Sequence, residues 1–270
     1  MPTYSLTLEY DGTDFAGWQV QPTVRTAMGV LRDAIQTVTS ERPALTAAGR
    51  TDSGAHAHGQ VVGCTLEQAW EPRALRGALN AVLPADLAVR EAALRSETFD
   101  ARRDAVERTY RYLIVCREEP VPVLRRNAWT VRGPLDVDAM RRAAAHLVGV
   151  HDFAAFGSSP REGGGTVRRV TAVSVEPLEI GDGASPAGDA VISAVAITVR
   201  ADAFLRGMMR AFAGALVKVG RGRATPGWVA SLVDGATERD PSVSIAPARG
   251  LHQWSVRYAE PGHPAEERAA

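Results

Sequence analysis

The chain is short of lysine: across 270 residues Lys218 stands alone against 30 arginines, so Schiff-base chemistry has one candidate position. Cysteine is nearly absent too. Cys64 and Cys116, each among apolar or strand-like neighbours, are too few for a disulfide framework or a thiolate metal site and read as buried reduced thiols. No unbroken apolar run is long enough to span a membrane, and no charged-then-apolar leader opens the chain, so a soluble, cytoplasmic protein without membrane association is expected. Net charge is lacking as well: 31 basic and 31 acidic residues balance, which argues against a protein that coats nucleic acid indiscriminately. What is abundant is arginine in clusters, at 102–103, 108–111, 125–126, 168–169 and 206–210. Its planar fork suits phosphates and stacks on bases, although about half of such clusters are ordinary solvated surface.

A hydrophobic fraction of 45% supports a large core, and the length fits one large domain or two of ordinary size, of which two is the favoured reading. "YSLTLEYDGT" alternates Tyr4, Leu6, Leu8 and Tyr10 against Ser5, Thr7 and Glu9, a half-buried strand that turns at Asp11-Gly12. Helical spacing over Ala27–Val38, a strand in "GQVVGCTL", a helix near Pro72–Ala81 and a strand near Leu87–Ala92 complete a first unit placed at 1–103. The second, 104–258, opens on the alternating "RTYRYLIVC". A helix in "DVDAMRRAAAHLVG" follows, with Asp136 as cap and Gly149 as stop, and then the apolar strand "VISAVAITVR". Two loops are expected, a mobile one at Gly157–Thr166 and a surface hairpin at Glu176–Asp189. In "AFLRGMMRAFAGALVKVGRG" the residues Leu205, Met208, Met209, Phe212, Leu216 and Val219 form one stripe, with Arg206 and Arg210 on a basic shoulder beside it. The patternless 259–270 is expected to be a disordered tail. Together these predict an α+β fold with helices on one sheet face.

Chemistry concentrates in "AAGRTDSGAHAHGQVVG", 47–63, where glycines frame Arg50, Asp52, Ser53, His56 and His58. Asp52 can be a nucleophile or base held ionised by a guanidinium, or simply the cap of a turn. A Ser53/His56/Asp52 triad lacks a nucleophile elbow, and His56 with His58 lacks a third metal ligand at a standard spacing. Tyr110 and Tyr112 fit strand packing, or base stacking beside the flanking arginines. Arg210 is a solvated surface charge unless it faces the same site as Asp52.

As a set, "EYDGTDFAGWQVQP", "AGRTDSGAHAHGQV", "ALNAVLPADLAVR", "FDARRDAVERTYRY", "HDFAAF", "AFLRGMMRAFAGALVKVG" and "APARGLHQWSVRY" resemble, in content and order, the TruA family of tRNA pseudouridine synthases, from about Tyr4 to Tyr258. The resemblance implies two similar α+β halves, each a mainly antiparallel sheet with helices on one face, around a central cleft. It implies a cofactor-free enzyme, without metal, that isomerises uridine to pseudouridine at positions 38, 39 and 40 of the tRNA anticodon stem loop, acting as a homodimer. Asp52 matches the catalytic nucleophile. Tyr110 matches the tyrosine that stacks on the base and is a candidate for removing the C5 proton, Arg210 the ion-pair partner of the aspartate, and Arg50 the arginine of base extrusion. Arg206 is a further expected substrate contact. The sequence departs from the family at Met28, where glutamine is usual, at Arg32, where glutamate is usual, and at Ala55 in place of valine. A rival reading keeps the fold as a non-catalytic RNA-binding protein, and a weaker one is a serine or metal hydrolase using the same loop.

Overall fold

The structure, a computed structural model, describes residues 1–160, 163–180, 192–236 and 238–259. Along the chain run β1 (Thr3–Tyr10), α1 (Ala27–Thr39), β2 (Leu45–Ala47), β3 (His56–Thr65), α2 (Pro72–Val82), β4 (Leu87–Arg95), β5 (Ala105–Cys116), β6 (Trp129–Val131), α3 (Val137–Ala145), β7 (Gly149–Asp152), β8 (Val167–Ile180), β9 (Ile192–Ala201), α4 (Met208–Gly220), α5 (Pro226–Leu232) and β10 (Leu251–Tyr258). They group into two compact units. One is Met1–Arg108 with the chain from Gln253 onward, the other Thr109–His252.

In the first unit the strand order is β4-β1-β3-β10, with β2 also on β3, and β1 is antiparallel to both β3 and β4. The alternation of β1 buries Tyr4, Leu6, Leu8 and Tyr10 against Leu31 and Ile35 of α1 and Leu75 and Leu79 of α2. Both helices therefore cover the same sheet face. Each fully buried leucine contributes about 1.5–3 kcal/mol of transfer free energy, so Leu6 and Leu8 alone make this face costly to expose. Local caps set the helix limits. Thr26 Oγ1 accepts the Gly29 amide at 3.2 Å to start α1, and Ser40, at φ 62°, ends it. Glu71 accepts the amides of Arg73 and Ala74 to start α2, and those two bonds hold its carboxyl below the ordinary range.

The second unit has the order β5-β9-β8-β7, with β6 parallel to β5. Asp136 caps α3 as expected, accepting the Ala139 amide at 2.8 Å, but the helix ends at Ala145. Gly149 does not stop it; at φ +134° it opens β7. The hairpin expected from Glu176 is also displaced, since Glu176–Ile180 continue β8 opposite β9, and residues 181–191 lie outside the described ones. Pro177 is tolerated there because β7 pairs only with Val167–Val170, which leaves the rest of β8 at a sheet edge where no amide is required. The loop at Gly157–Thr166 carries a bridge between Ser158 and Arg206.

The largest correction concerns α4. Gly207, at φ +74°, interrupts the helical path, so Leu205 and Arg206 precede the helix and Arg206 is not stacked on Arg210. Nor is there a basic shoulder, because all of α4 except Arg210 and Lys218 is buried. Phe212 meets Phe153 and Phe156 edge-on at 5.4 and 4.9 Å, and a Cβ on Gly214 would stand 1.9 Å from the Ser244 carbonyl oxygen. That glycine admits the backbone of 244–246 to the helix surface. Lys218 places its ammonium 4.1 Å from the Trp228 ring and 3.2 Å from the Ser242 carbonyl, a packed position rather than a reactive one. Cys64 is buried, which pushes its thiol up to about 12, and Cys116 is half-buried; both are free. Among the described residues, no helix is long and apolar enough to cross a membrane. The sequence beyond Ala259 lies outside them.

Candidate active site

Asp52 sits half-buried on the connection between β2 and β3, and its neighbours explain why the loop is fixed. Thr51 is buried: its hydroxyl shares a 2.8 Å hydrogen bond with the Tyr10 phenol, and its carbonyl accepts the Trp18 amide at 3.1 Å. Past Asp52 the chain turns at Gly54, φ +79°, whose amide reaches the Phe15 carbonyl, while the Ala55 amide closes the turn on the Asp52 carbonyl at 3.1 Å. Ahead of it, Gln60 donates to the Gly49 carbonyl at 2.8 Å and in turn accepts from Gln253 at 2.9 Å, both glutamines being fully buried. Asp52 is thus held from both sides by hydrogen bonds into the core.

The other wall of this loop is the motif "YDGTDFAGW". A Cβ on Gly12 would lie 1.8 Å from the Ala55 carbonyl oxygen, and one on Gly17, at φ +92°, would lie 2.9 Å from the Thr51 carbonyl oxygen. Two glycines far away in sequence let one loop backbone press against the other. The Gly12 amide also donates to His56 Nδ1 at 3.1 Å, with Asp11 Oδ1 equally close to that nitrogen. His56 is therefore a buried strut. The Ser53 hydroxyl donates to the Phe15 carbonyl at 3.3 Å, so serine and histidine each serve the loop's own structure, contrary to the hydrolase reading. His58 has different partners, Glu9 at 3.4 Å and the Trp254 ring, so the two histidines do not form a pair.

Arg108 is a residue whose role sequence reasoning missed. Counted by sequence among the arginine clusters suited to phosphates or solvent, it is 8% exposed, and its guanidinium donates to the carbonyls of Ala48, Ala105 and Arg102 at 3.1, 3.0 and 2.6 Å. Through Ala48 it anchors the chain just ahead of Asp52. A run such as "RTYRY" signals a strand and cannot tell which arginine turns inward. Arg50, by contrast, is exposed beside Asp52.

Tyr110, Arg206 and Arg210 belong to the second unit. Tyr110 is buried on β5 and meets Phe204 edge-on at 4.7 Å. Arg206 is exposed, with its backbone amide on the Ser158 carbonyl at 2.9 Å. Arg210, in the first turn of α4, is tied twice to one residue: its Nε donates to the Ala246 carbonyl at 2.7 Å, and its own carbonyl accepts the Ala246 amide at 3.0 Å. Next to it, Tyr112 donates to the Pro247 carbonyl at 2.6 Å. Burial pushes the Tyr112 phenol well above its ordinary range, against the smaller opposing pull of Arg210 and Arg249. A Cβ on Gly250 would come within 2.7 Å of the Tyr112 ring, which accounts for the glycine of "APARGL". Arg239 donates to the Phe156 carbonyl at 2.9 Å and lies against Gly207, bracing the start of α4.

A model of the tRNA pseudouridine synthase family matches residues 7–103 and 143–259. A tRNA pseudouridine synthase A of Myxococcus xanthus is 40% identical over 265 residues, covering 98% of this chain and 95% of its own. One of Roseiflexus castenholzii is 40% identical over 274 residues, covering 99% of this chain and 94% of its own. Among solved structures, an archaeal box H/ACA sRNP Nop10-Cbf5 complex aligns at 15% identity and a TM-score of 0.27 over 80% of this chain and 44% of that one, a likeness too loose to carry weight. With a family match on both halves of the chain and relatives running its whole length, this protein belongs to the tRNA pseudouridine synthase family.

Proposed function

We propose that the chain converts uridine to pseudouridine at positions 38, 39 and 40 of the tRNA anticodon stem loop, with Asp52 as nucleophile and no metal or organic cofactor. The observation that carries this is the carboxylate itself, half-buried on a loop whose flanks are locked to the core through Thr51, Gly54 and Gln60. A binding protein for an anionic polymer has no use for a fixed carboxylate; a nucleophile needs one held in place.

A uridine inside a stem is out of reach until it leaves the stack, at a cost of a few kcal/mol. Arg50, exposed two residues before Asp52, fills the vacated position or holds a phosphate and offsets part of that cost. Asp52 then attacks the nucleotide, at the ribose C1′ or the base C6. Either route breaks the bond from N1 to C1′ and lets the uracil turn; C5 then joins C1′, the Asp52 carboxylate leaves the atom it attacked, C5 loses its proton and N1 takes one up, so product and substrate are isomers. Tyr110, its ring oriented by Phe204, stacks on the base and stands as the candidate for removing the C5 proton. Arg210 acts as counter-charge to Asp52; its Nε bond to Ala246 sets the plane of the guanidinium in advance. Arg206 contacts substrate phosphate. The working form is a cytoplasmic homodimer in which one tRNA touches both subunits.

The test is tritium release from tRNA carrying 5-tritiated uridine, for the wild type and Asp52→Ala, with chelator present. Release by the wild type alone, with the variant still binding tRNA, is the expected result. Binding without release by the wild type assigns the fold to a non-catalytic RNA-binding role, and release that chelator abolishes refutes the cofactor-free mechanism.

A further inference from the structure

The face of the first unit's sheet that α1 and α2 leave bare is not uniform. On β10, Trp254, Val256 and Tyr258 project from alternate positions. Val256 and Tyr258 are covered: they pack with Ala48, Val61, Phe99 and Ala101, and the Tyr258 hydroxyl donates to the Ala101 carbonyl at 2.8 Å. The covering segment stops there, and Trp254 is left 41% exposed, the one aromatic among the exposed large hydrophobic side chains of the described residues.

Trp254 is also oriented. Its ring lies 4.7 Å from the His58 imidazole at an interplanar angle of 50°. His58 contacts Glu9 at 3.4 Å, and Glu9 is paired in turn with Arg90, so a row of side chains crosses β10, β3, β1 and β4. The Glu9 carboxylate is matched by the Arg90 guanidinium and does not turn an anion away. Backbone placement is specified too, because a Cβ on Gly59 would stand 2.6 Å from the Trp254 carbonyl oxygen, so the glycine of "HAHGQ" lets β10 close on β3 at this point. An indole held by its neighbours loses little rotamer freedom on stacking, and an open sheet face bearing such a ring suits an unpaired base. His58 follows Asp52 by six residues, which places the two within about 20 Å even for a fully extended chain.

We infer that Trp254, steadied by His58, is a stacking platform for one base of the RNA substrate, within a few nucleotides of the uridine offered to Asp52. This rests on the RNA substrate proposed above. Full-length wild type, Trp254→Ala and Trp254→Phe are titrated at fixed salt with a synthetic anticodon stem-loop RNA, intact and with a single abasic site at each nucleotide near the target. Trp254→Ala should weaken binding by about 5- to 150-fold, the range for stacking one base on an aromatic ring. The deficit should lie in KM rather than kcat, and Trp254→Phe should restore most of it. One abasic position should cost the wild type affinity and cost Trp254→Ala nothing further. Binding by Trp254→Ala within twofold of wild type, or equal abasic losses in both proteins, overturns the inference. A change of oligomeric state without a change in RNA affinity also overturns it, and assigns the surface to a second copy of the chain. Wild type that shows the abasic signature yet releases no tritium leaves the platform standing and refutes the enzyme; wild type that fails to bind RNA refutes both.

Discussion

Replacing Gly12 with alanine puts a methyl group 1.8 Å from the carbonyl oxygen of Ala55. Gly12 does not lie in the left-handed region, so the substitution carries no backbone penalty of its own and the effect is steric alone. Because the obstacle is main chain, no rotamer change relieves it; residues 10–13 and 52–56 must separate. Overpacking of this kind costs about 1–3 kcal/mol. Separation also breaks the bond from the Gly12 amide to His56 Nδ1, leaving a buried donor unmet for about 1–3 kcal/mol more. The sum, about 2–6 kcal/mol, is a large part of the roughly 5–15 kcal/mol that holds a domain together. At about 2–4 °C per kcal/mol the melting temperature should fall by about 4–24 °C. Activity should fall further than stability accounts for: at a temperature where the variant is folded, shifting Asp52 by about 1 Å costs on the order of 100-fold in turnover. Gly77 supplies the control. It lies in the interior of α2, and a methyl group added there would meet nothing within 4 Å, so alanine should stabilise by about 0.5–1 kcal/mol and leave turnover alone. Calorimetry and tritium release decide it. A Gly12→Ala protein that melts within about 2 °C of wild type and turns over at full rate would falsify the interlocked-loop account.

Arg108→Met removes three donors at once and strands the carbonyls of Ala48, Ala105 and Arg102, so a loss of about 3 kcal/mol or more is expected, read as a fall in melting temperature, together with reduced kcat; Arg108→Lys should fall between. An unchanged melting point for the methionine variant contradicts the anchoring role. The Asp234 carboxyl is held below its ordinary range, first by the Asp152 amide and then by His151. A depressed folded pKa means this contribution is complete above the unfolded carboxylate pKa and is lost as the pH falls through the folded value. Asp234→Asn, tolerated at φ 59° because asparagine accepts the left-handed region, should be less stable than wild type at neutral pH, with the difference shrinking as the pH falls below about 4; a difference that does not shrink in acid refutes the assignment.

Much of this fold is legible in the sequence alone. Period-two alternation places β1 and β5, helical spacing places α1, and Asp136 marks the start of α3, because these signals reside in a single element. Errors arise where a partner decides the outcome. Arg206 looks helical because 3.6-residue spacing ignores what one left-handed glycine does to the path, and Pro177 reads as a loop because nothing local announces that its strand lies at an edge. That Gln253–Tyr258 join the first unit is a matter of pairing, invisible to periodicity. The proposed site rests at Asp52, Tyr110 and Arg210 on motif resemblance. Arg108 and Trp254 are not legible in the sequence, since inward and outward arginines, or covered and open rings, look alike in one dimension.

The contacts that require Gly12 and Gly17 are made by peptide oxygens of residues 51 and 55, so they hold whatever side chains the loop carries. On the mechanism proposed above, a descendant that exchanged Asp52 for a neutral residue would lose the reaction and still need both glycines in order to fold. The two glycines are therefore a requirement of the fold, whereas position 52 is, on that mechanism, a requirement of the chemistry alone.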